Sequence, residues 1–491
     1  MIPTIRPKVE LLSPALIKTI LDEGLAVLEK QGIFVENEEA LRLFQDAGMK
    51  IEKETRRVFI TPKLVEKGLA TTPASITLSD RSGQRSYTVG GDDVHFDPGS
   101  AAVWILDHKT QVERAAVTDD MVNFVRISDG LDNLHFQSTG LVSSDVPDII
   151  ADSYRLFIGL LFSDKPVVTG TFKVAGFAPM RDMLAVVRGG EAGLSSKPLA
   201  IFDACPSPPL KWSNLTTQSL IDSARAGIPS ELISMGMTGA TSPVTLAGTL
   251  VQHVAETLAG LIICQLAKPG APVIWGGSPS SFDMRKGTTP MGAIETMMID
   301  MAYAQIAKHL KLPTHAYMSL SDAKLNDSQA GLETALGAVL AGLAGINVVS
   351  GPGMLNFESC QSLEKLVIDD EICGMVYRLL AGISQREEPI AKNLFEAIIQ
   401  GGSFLTLPHT REWFRKEHTF PRVADRDTYD AWAAAGRKTM DDRAHDEVER
   451  MLASRAPNLP APEVVHELRK VMEAEAKRNG LTKLPAIKGL G

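Results

Sequence analysis

The chain has 491 residues, of which 44% are hydrophobic and 22% are charged, and its formal net charge is -9. Such a composition is typical of a globular protein with a large buried core. No long run of lysine and arginine offsets the acidic balance, and phosphate binding requires a basic surface. We therefore expect no nucleic acid partner.

The cysteines and the apolar segments indicate a cytoplasmic protein without a membrane span. Cys205, Cys264, Cys360 and Cys373 form no CxxC pair, which is typical of reduced, buried thiols. The first residues, MIPTIRPKVELLSP, lack the apolar centre of a signal peptide. Glycines and a proline interrupt the longest apolar stretch, residues 334–355, so we predict a buried helix followed by a buried strand there.

Residues 1–130 are predicted to form an extension of helices and a small β-meander. Three helices are expected to start at Ser13, Asn37 and Thr61, because capping side chains and prolines favour helix N-termini. Residues 87–116 then alternate between apolar and polar and turn at glycine and proline, which is typical of short antiparallel strands.

The next region, residues 131–410, is predicted to form a closed (β/α)8 TIM barrel of the α/β class. Short apolar β-rich runs alternate there with helical stretches, which favours a parallel barrel over an open sheet. A C-terminal helical segment, residues 411–491, follows. The eight predicted strands are 134–140, 166–172, 198–204, 231–237, 272–277, 313–318, 346–351 and 404–408.

A polar loop follows the sixth predicted strand. Its sequence, YMSLSDAKLNDSQAG (residues 317–331), lies between two buried elements. In a TIM barrel the active site lies where strands end and helices begin. We therefore predict that this loop is one wall of a binding site rather than a solvated connection.

The common catalytic and metal-binding motifs are absent from the sequence. It contains no P-loop, no GxSxG and no HExxH. The segment DDVHFDPG approaches the DxHxxG pattern of cobalamin-binding proteins, but one residue too many separates His95 from Gly99. His253 and Glu256 share an apolar helix face, which indicates a core pair. We therefore assign no catalytic residue and no metal ligand.

The remaining histidines do not change that interpretation. His315 and His409 fit the flanks of a pocket, but their spacing suggests no third metal ligand. His95, His108 and His135 have ordinary surface or packing explanations.

Aromatic residues, in contrast, recur at the predicted strand ends. Aromatic faces attract cations, and quaternary ammonium groups best of all. We predict an aromatic cage at the barrel mouth, and the alternative is that the same rings are core residues. The rings are Phe172, Trp275, Phe282 and Tyr317 at strand ends or in the loops after them, Phe357 after the Gly-Pro-Gly turn, and Trp104 in the meander.

Several segments resemble the trimethylamine methyltransferase family, and specifically its members without pyrrolysine, which include glycine betaine methyltransferases. The segments are SDAKLNDSQAGLE, GLAGINVVSGPGML with SLEKLVIDDEI, DGLDNLHFQSTGLVSSDVP and LTLPHTREWF. The resemblance implies a TIM barrel that passes a methyl group from an amine to Co(I) of a separate corrinoid protein. The cobalamin would then be carried by that partner and not by this chain.

The absence of pyrrolysine favours a quaternary substrate. A tertiary amine needs an unusual electrophile to activate it, whereas a quaternary ammonium leaves as a neutral amine without a general acid or a metal. The enzyme then has to position the methyl group and exclude water. Glycine betaine is the first choice. The alternatives are trimethylamine, carnitine, proline betaine and γ-butyrobetaine as donors, or a lyase on the same barrel.

These expectations give two sets of predicted site residues. The betaine carboxylate would meet His315, Lys324, Arg285, His409 or the amides after Gly276-Gly277-Ser278. For the loop, the alternative to corrinoid contact is helix capping by Asn326 or Asp327. The oligomeric state stays open, and a homo-oligomer is compatible with the sequence. The substrate set is Trp104, Phe172, Trp275, Phe282, His315, Tyr317, Phe357 and His409, and the corrinoid-contact set is Asp322, Asn326, Asp327, Gln329, Gly351 and Gly353.

Overall fold

A computed structural model describes residues 4–399, 401–454 and 456–487. The helices are α1 Pro14–Lys30, α2 Glu38–Asp46, α3 Pro62–Thr71, α4 Thr118–Gly130, α5 Ala151–Phe162, α6 Phe177–Arg188, α7 Glu191–Ser196, α8 Asn214–Ala226, α9 Leu246–Ala267, α10 Ile294–His309, α11 Ser328–Ala344, α12 Leu363–Leu380, α13 Lys392–Ile399, α14 Pro408–Glu417, α15 Tyr429–Ala434, α16 Met440–Ser454 and α17 Pro462–Arg478. Three short 3-10 helices are Asp148–Ile150, Val174–Gly176 and Phe404–Thr406.

The strands are shorter than the predicted β-rich runs. They are β1 Ile33–Val35, β2 Lys50–Glu52, β3 Arg57–Phe59, β4 Ser75–Ser79, β5 Ser86–Gly90, β6 His95–Asp97, β7 Trp104–Asp107, β8 Val112–Ala115, β9 Gln137–Ser138, β10 Val167–Thr169, β11 Ala200–Ala204, β12 Lys211–Trp212, β13 Ser230–Ser234, β14 Val273–Gly277, β15 His315–Tyr317, β16 Val348–Ser350, β17 Met354–Leu355 and β18 Cys360–Gln361.

The predicted helix starts in the N-terminal extension are confirmed. Ser13 accepts a hydrogen bond from the Leu16 amide at the start of α1, and Asn37 does the same for Ala40 at the start of α2. The helix α3 begins at Pro62, where the fixed backbone angle of proline suits the first turn. Local capping chemistry therefore places these three helices.

Eight parallel strands form a closed barrel. The strands β9, β10, β11, β13 and β14 pair as one parallel sheet, and β15, β16 and β6 pair as another. Two parallel bridges, Phe96–Leu134 and Trp275–Thr314, join the sheets at both edges. The backbone N–H of His135 donates to the Phe96 carbonyl at 2.9 Å across the first junction. The predicted TIM barrel is thus confirmed, with seven of its strands in the predicted runs.

The eighth predicted strand, residues 404–408, was wrong. Residues 404–406 form a 3-10 turn, Pro408 begins α14, and Leu405 is 86% exposed. A barrel strand must be buried on both faces, and a proline with its fixed backbone angle favours a helix start at this position.

The missing strand is β6, which lies in the predicted meander and pairs with β16 from Val348–His95 to Ser350–Asp97. The barrel is therefore not confined to residues 131–410, and the boundary predicted at residue 130 separates β6 from its neighbours. The remaining meander strands, β7 and β8, join β17 and β18 in a small sheet beyond the end of β16.

The amino-terminal end of the barrel is closed by the hairpin of β4 and β5. Ile76, Leu78 and Val89 of the hairpin pack with one side chain from each of four barrel strands and with Phe136, which immediately precedes β9. This apolar plug leaves the carboxyl ends of the strands as the open end, which is where TIM-barrel sites lie. The five barrel side chains in the plug are Phe136, Val168, Ile201, Ile274 and Val348.

Helix α9 is long and apolar enough to cross a membrane by length and composition, with a mean hydropathy of 1.4 over its most apolar window. However, 78% of that window is buried in the fold. Gly24 of α1 packs so closely on α9 that an added Cβ would lie 2.5 Å from Val254 Cγ1. The helix is therefore part of the core. The apolar stretch at residues 334–355 forms α11, β16 and β17, as predicted.

Candidate active site

Three carboxyl side chains face the interior of the barrel above the apolar plug. Asp203 follows the plug residue Ile201 by two positions and therefore faces the same way. Glu231 is the direct partner of Asp203 on the neighbouring strand. Asp97 pairs with Ser350 of β16, and a fourth carboxyl, Glu358, lies in the turn after β17. Asp97 and Glu231 are fully buried, and Asp203 and Glu358 are partly buried.

His315 connects the acidic residues across the barrel. Its Nε2 lies 3.2 Å from Glu231 Oε1 and 3.0 Å from the Ser350 hydroxyl. Ser350 in turn donates a hydrogen bond of 2.8 Å to Asp97 Oδ1. An added Cβ at Gly276 would lie only 3.0 Å from His315 Nδ1, so the glycine leaves room for this connection.

The electrostatics of the cluster favour a bound cation. Burial raises the pKa of Asp203 to about 7, although Arg155 opposes the shift. Burial and neighbouring carboxylates also raise the pKa values of Glu231, Asp97 and Glu358. Buried polar atoms normally have partners, yet five carboxyl oxygens of this cluster have no hydrogen bond to any described residue. They are Asp97 Oδ2, Asp203 Oδ1, Glu231 Oε1 and Oε2, and Glu358 Oε1.

A single buried guanidinium accompanies the carboxyl groups. Arg155 of α5 donates from Nη1 to the Thr139 carbonyl at 2.7 Å, and its guanidinium lies 4.3 Å from the Phe172 ring centre. Its Nε is buried and has no hydrogen bond among the described residues. Burial lowers the pKa of Arg155 to about 10, while Asp152 and Asp203 oppose the shift. The group is therefore cationic at neutral pH.

The sequence analysis missed Arg155 and the four carboxyl groups as site residues. Arg155 lies in ADSYRLFIGLLF, an otherwise largely apolar helix, and a charge in such a segment was the available signal. Asp203 ends a predicted strand, but the convergence of acids from separate strands depends on the closed barrel.

Two of the predicted substrate residues lie in this cluster, and a third lies against Arg155. His315 is fully buried, and burial lowers its pKa to about 3, so the imidazole is neutral. The Tyr317 ring lies edge-on to His315 with centres 4.7 Å apart, and Tyr317 opposes the rise that burial causes in the Asp203 pKa. Phe172 is 48% exposed and carries the Arg155 guanidinium on its face.

Three other predicted aromatic residues lie on elements at the same end of the barrel. Phe282 is half-buried in the loop after β14 and donates its amide to Thr238 Oγ1. The Lys324 ammonium lies 3.8 Å from the Phe357 ring centre. Trp104 stands on β7 and is 41% exposed. Their roles as cage residues stay predictions.

Trp275 is not at the mouth, contrary to the prediction. It is fully buried, and its ring centre lies 5.8 Å from that of His253 on α9. The neighbouring Ile274 faces the barrel interior, so Trp275 points to the helices because successive side chains of a strand face opposite ways. His253 and Glu256 are buried core groups, as predicted.

His409 and Arg285 were also predicted for the site and are placed elsewhere. His409 lies on α14, where its Nε2 is 3.9 Å from Glu387, because the expected eighth strand is absent there. The Arg285 side chain is 87% exposed and forms an ion pair with Asp283. The predicted helix N-terminus after Ser278 is absent as well, because a loop runs to the start of α10 at Ile294.

The polar loop at residues 317–331 uses most of its side chains within the protein. Both Asp322 oxygens accept backbone amides, from Met291 and Gly292. Asp327 caps α11 through the Gln329 and Ala330 amides. The capping alternative therefore holds for Asp327.

Asn326 instead donates to Asp441 Oδ1, and the Lys324 ammonium bonds to the Asp322 carbonyl rather than to a carboxylate. Gln329 remains exposed and donates to Glu333. Of the polar residues predicted for corrinoid contact, Asp327 and Gln329 are thus exposed, Asn326 is half-buried and Asp322 is buried.

Gly351 and Gly353 are buried and serve close packing, and their role as corrinoid contacts stays a prediction. An added Cβ at Gly351 would lie 2.0 Å from the Met318 carbonyl, and one at Gly353 would lie 2.0 Å from Gln361 Oε1. Gly353 also has a φ of 87°, which glycine adopts without strain. Both faces are occupied by the protein itself.

A closed parallel barrel with titratable groups at the carboxyl ends of its strands defines a TIM-barrel enzyme. The family model described as trimethylamine methyltransferase (MTTB) matches residues 1–480. The chain therefore belongs to the trimethylamine methyltransferase family and is a methyltransferase, as the resemblance predicted.

Two relatives cover nearly the whole chain. The trimethylamine methyltransferase MttB of Desulfitobacterium hafniense (strain DSM 10664 / DCB-2) is 32% identical over 94% of this chain and 92% of its own. The glycine betaine methyltransferase of Desulfitobacterium hafniense (strain Y51) is 31% identical over 96% and 98%. The crystal structure of the Methanosarcina barkeri monomethylamine methyltransferase covers 89% of this chain and 92% of that chain at 13% identity, with a TM-score of 0.49. The barrel therefore rests on the strand pairing of this chain alone.

Proposed function

We propose that the protein transfers a methyl group from a quaternary amine that also carries a carboxylate, with glycine betaine as the first choice, to Co(I) of a separate corrinoid protein. One observation carries the proposal. Carboxyl oxygens that have no hydrogen-bond partner among the described residues and one buried guanidinium, that of Arg155, lie together at the open end of the barrel. A relative named for glycine betaine supports the same choice.

The acidic cluster is the proposed ammonium site. Asp203 and Glu231 are adjacent, with Glu231 fully buried and Asp203 partly buried, and a cation between them would relieve the cost of burying the charges. A quaternary ammonium has no N–H and cannot donate a hydrogen bond. It can therefore interact with carboxyl groups through charge alone. The Tyr317 ring beside them adds an aromatic wall.

Arg155 is the proposed partner of the substrate carboxylate. Its guanidinium is buried, lies flat on Phe172 and keeps Nε free of hydrogen bonds among the described residues. Arginine binds carboxylates through paired N–H groups. Trimethylamine has no carboxylate and would leave this buried cation without an anionic substrate group. The geometry therefore favours a betaine over a simple methylamine.

The reaction requires no proton transfer from the protein. The bond between nitrogen and the transferred methyl breaks, the electron pair stays on nitrogen, and a neutral tertiary amine leaves. A fully charged cluster would stabilise the cationic substrate more than the transition state, in which the charge on nitrogen declines. The raised pKa of Glu231 moderates that negative charge. The role of the site is to orient the methyl group and exclude water.

The rim of the open end suits a protein partner that presents a corrinoid. When bound, Co(I) supplies the nucleophile that accepts the methyl group. Exposed apolar side chains lie on the loops after β13, β14 and β15 and on the first turns of α11, and an exposed apolar surface of this kind marks protein–protein contact. They include Met235, Val244, Met284, Leu325 and Leu332, which are 42–67% exposed.

The same proposal includes a cytoplasmic location. All four cysteines are free thiols, which fits a reducing compartment, and Co(I) itself requires strongly reducing conditions.

The test is to mix the enzyme with cobalamin reduced to Co(I) and follow the Co(I) absorbance. We expect loss of the Co(I) spectrum with glycine betaine, together with formation of dimethylglycine, and no loss with trimethylamine. Carnitine, proline betaine and γ-butyrobetaine test the length of the pocket in the same assay. Turnover of trimethylamine without turnover of any betaine would overturn the proposal.

A further inference from the structure

A second cluster of ligand-type side chains lies outside the barrel. His108 stands in the turn between β7 and β8, Glu364 lies in the first turn of α12, and His445 lies on α16. One nitrogen or oxygen of each lies within 4.8 Å of the others. Asp441, one helical turn before His445, has Oδ2 at 3.2 Å from His108 Nδ1. The group therefore offers two imidazoles and two carboxylates from three distant segments.

Three of the distances between these atoms are close to those expected around one four-coordinate ion. Ligands about 2.05 Å from a tetrahedral Zn²⁺ lie about 3.3 Å from each other. The distances are 2.9 Å from His445 Nδ1 to Glu364 Oε1, 3.2 Å from His108 Nδ1 to Asp441 Oδ2 and 3.9 Å from His108 Nδ1 to Glu364 Oε1. Two of these distances are shorter and one is longer than the ligand-to-ligand distance of about 3.3 Å around a tetrahedral ion.

Each carboxylate is also held by a hydrogen bond to its oxygen that faces away from the histidines, as is usual for metal ligands. The Asn326 side chain donates to Asp441 Oδ1 at 2.7 Å, and the Ser362 hydroxyl donates to Glu364 Oε2 at 3.2 Å. Each of these bonds leaves the other oxygen of its carboxylate directed at the histidines. His108 Nδ1 is buried and, among the described residues, has no aligned hydrogen-bond partner.

We propose that His108, Glu364, Asp441 and His445 bind a divalent transition metal ion of the Zn²⁺ class, with a structural role. Mixed nitrogen and oxygen donors suit Zn²⁺, whereas Mg²⁺ and Ca²⁺ take oxygen ligands. The two rings stack 3.9 Å apart and must tilt to share the ion. His445 has room to tilt, because its side chain is 37% exposed.

Such an ion would hold three remote parts of the chain beside the barrel mouth. It joins the β7–β8 turn, the start of α12 and the C-terminal helix α16. Through Asn326 it also reaches the polar loop at residues 317–331. Because the ligands are distant in sequence, binding would stabilise the folded state over the unfolded chain.

The experiment uses the full-length protein after removal of bound metal with a chelator. Titration calorimetry with Zn²⁺ should give one ion per chain, and the melting temperature should rise with Zn²⁺. Substitution with Co²⁺ should give the visible absorption bands of a four-coordinate ion. None of these measurements depends on methyltransferase activity or on the identity of its substrate.

Two double variants separate the proposed site from the other histidines. His108→Ala with His445→Ala should weaken Zn²⁺ binding at least about 100-fold, since even changes around metal ligands cost 10–100-fold. His409→Ala with His466→Ala removes two histidines outside the cluster and should bind Zn²⁺ as the unaltered protein does. If the ligand variant does not fold, Glu364→Gln replaces it in the same titration. Absence of one-to-one binding in the unaltered protein, or equal binding in both variants, would overturn the proposal.

Discussion

At the scale of single residues, Asp203 is the side chain on which substrate binding depends most directly. Replacing it by asparagine keeps the shape and removes the negative charge. We expect Asp203→Asn to weaken glycine betaine binding about 10- to 100-fold, because a polar contact to a charged group is worth about 1.5–3 kcal/mol. Titration calorimetry measures the change. Asp182→Asn, at an exposed ion pair on α6, is the control and should bind betaine normally. An unchanged Kd for Asp203→Asn would contradict the assignment.

The raised pKa of Asp203 also predicts how binding depends on pH. With a pKa of about 7 in the free protein, the carboxyl is protonated below pH 7 and must lose its proton to pair with the ammonium. We expect betaine affinity to be constant above pH 8 and to fall about tenfold for each pH unit below 7. Calorimetry in buffers of different ionisation enthalpy should detect the released proton. Equal affinity at pH 6 and pH 8 would exclude this linkage.

The raised pKa of Asp203 affects the stability of the free protein in the opposite direction: stability decreases as the pH rises, whereas betaine affinity increases. Asp203 has an ordinary pKa of 3.8 and a raised pKa of about 7 in the folded protein. The free protein therefore loses stability from this group as the pH rises from about 4 to 7. Since betaine stabilises the ionised form, its effect on the melting temperature should be larger at pH 8 than at pH 6.

Arg155 is expected to make the site bind betaines more tightly than quaternary amines that have no carboxylate. Arg155→Gln should weaken glycine betaine binding about 10- to 100-fold and leave tetramethylammonium binding unchanged, because only betaine has a carboxylate. Arg155→Lys keeps the charge and should restore part of the betaine affinity. Equal losses for both ligands would indicate that Arg155 only supports the fold around Phe172.

At the scale of elements, the capping of α11 explains much of the polar loop before it. Asp327→Ala removes the acceptor for two backbone amides and should lower the free energy of unfolding by about 1 kcal/mol. Activity per folded molecule should not change. The exposed Gln329 side chain donates a hydrogen bond to Glu333, whereas its bond to Asp327 comes from the backbone amide, so Gln329→Ala should shift stability by less than about 0.5 kcal/mol. Denaturant unfolding of both variants tests this, and reduced turnover in Asp327→Ala would point to a direct role in the reaction.

At the scale of the whole molecule, the two ends of the barrel differ in function. One end is closed by β4 and β5, while the other carries the exposed apolar rim. Val244→Asp on the rim should raise the KM for the corrinoid protein about 10-fold or more and leave the betaine Kd unchanged, because a buried charge opposes docking. Steady-state turnover at varied corrinoid protein concentration measures this effect.

Leu459→Asp provides the matched control for the rim variant. The neighbouring Asn458 accepts hydrogen bonds from Arg81, which follows β4 at the closed end of the barrel, and Leu459 is exposed. We expect its KM for the corrinoid protein to stay at the value of the unaltered enzyme. An equal rise of the KM for the corrinoid protein in both variants would show that an added surface charge raises this KM wherever it lies. The rim would then not be the docking site.

The sequence by itself determined the class of the fold, seven of the barrel strands, the first helix starts and the family. These depend on local patterns: capping residues, apolar runs of strand length and family-specific segments. They could be predicted because each is written within a continuous stretch of chain. The apolar stretch at residues 334–355 was assigned correctly for the same reason.

Only the tertiary structure decided which side chains meet at the site. A shift of one position decides whether a strand side chain faces the barrel or the helices, so Trp275 was assigned to the mouth although its neighbour Ile274 faces inward. The eighth strand, β6, is selected by its pairing with β16, about 250 residues away. Asp97, Asp203, Glu231 and Arg155 converge only when the ring of strands closes. Their altered pKa values arise from that shared burial, which no single segment of the sequence records.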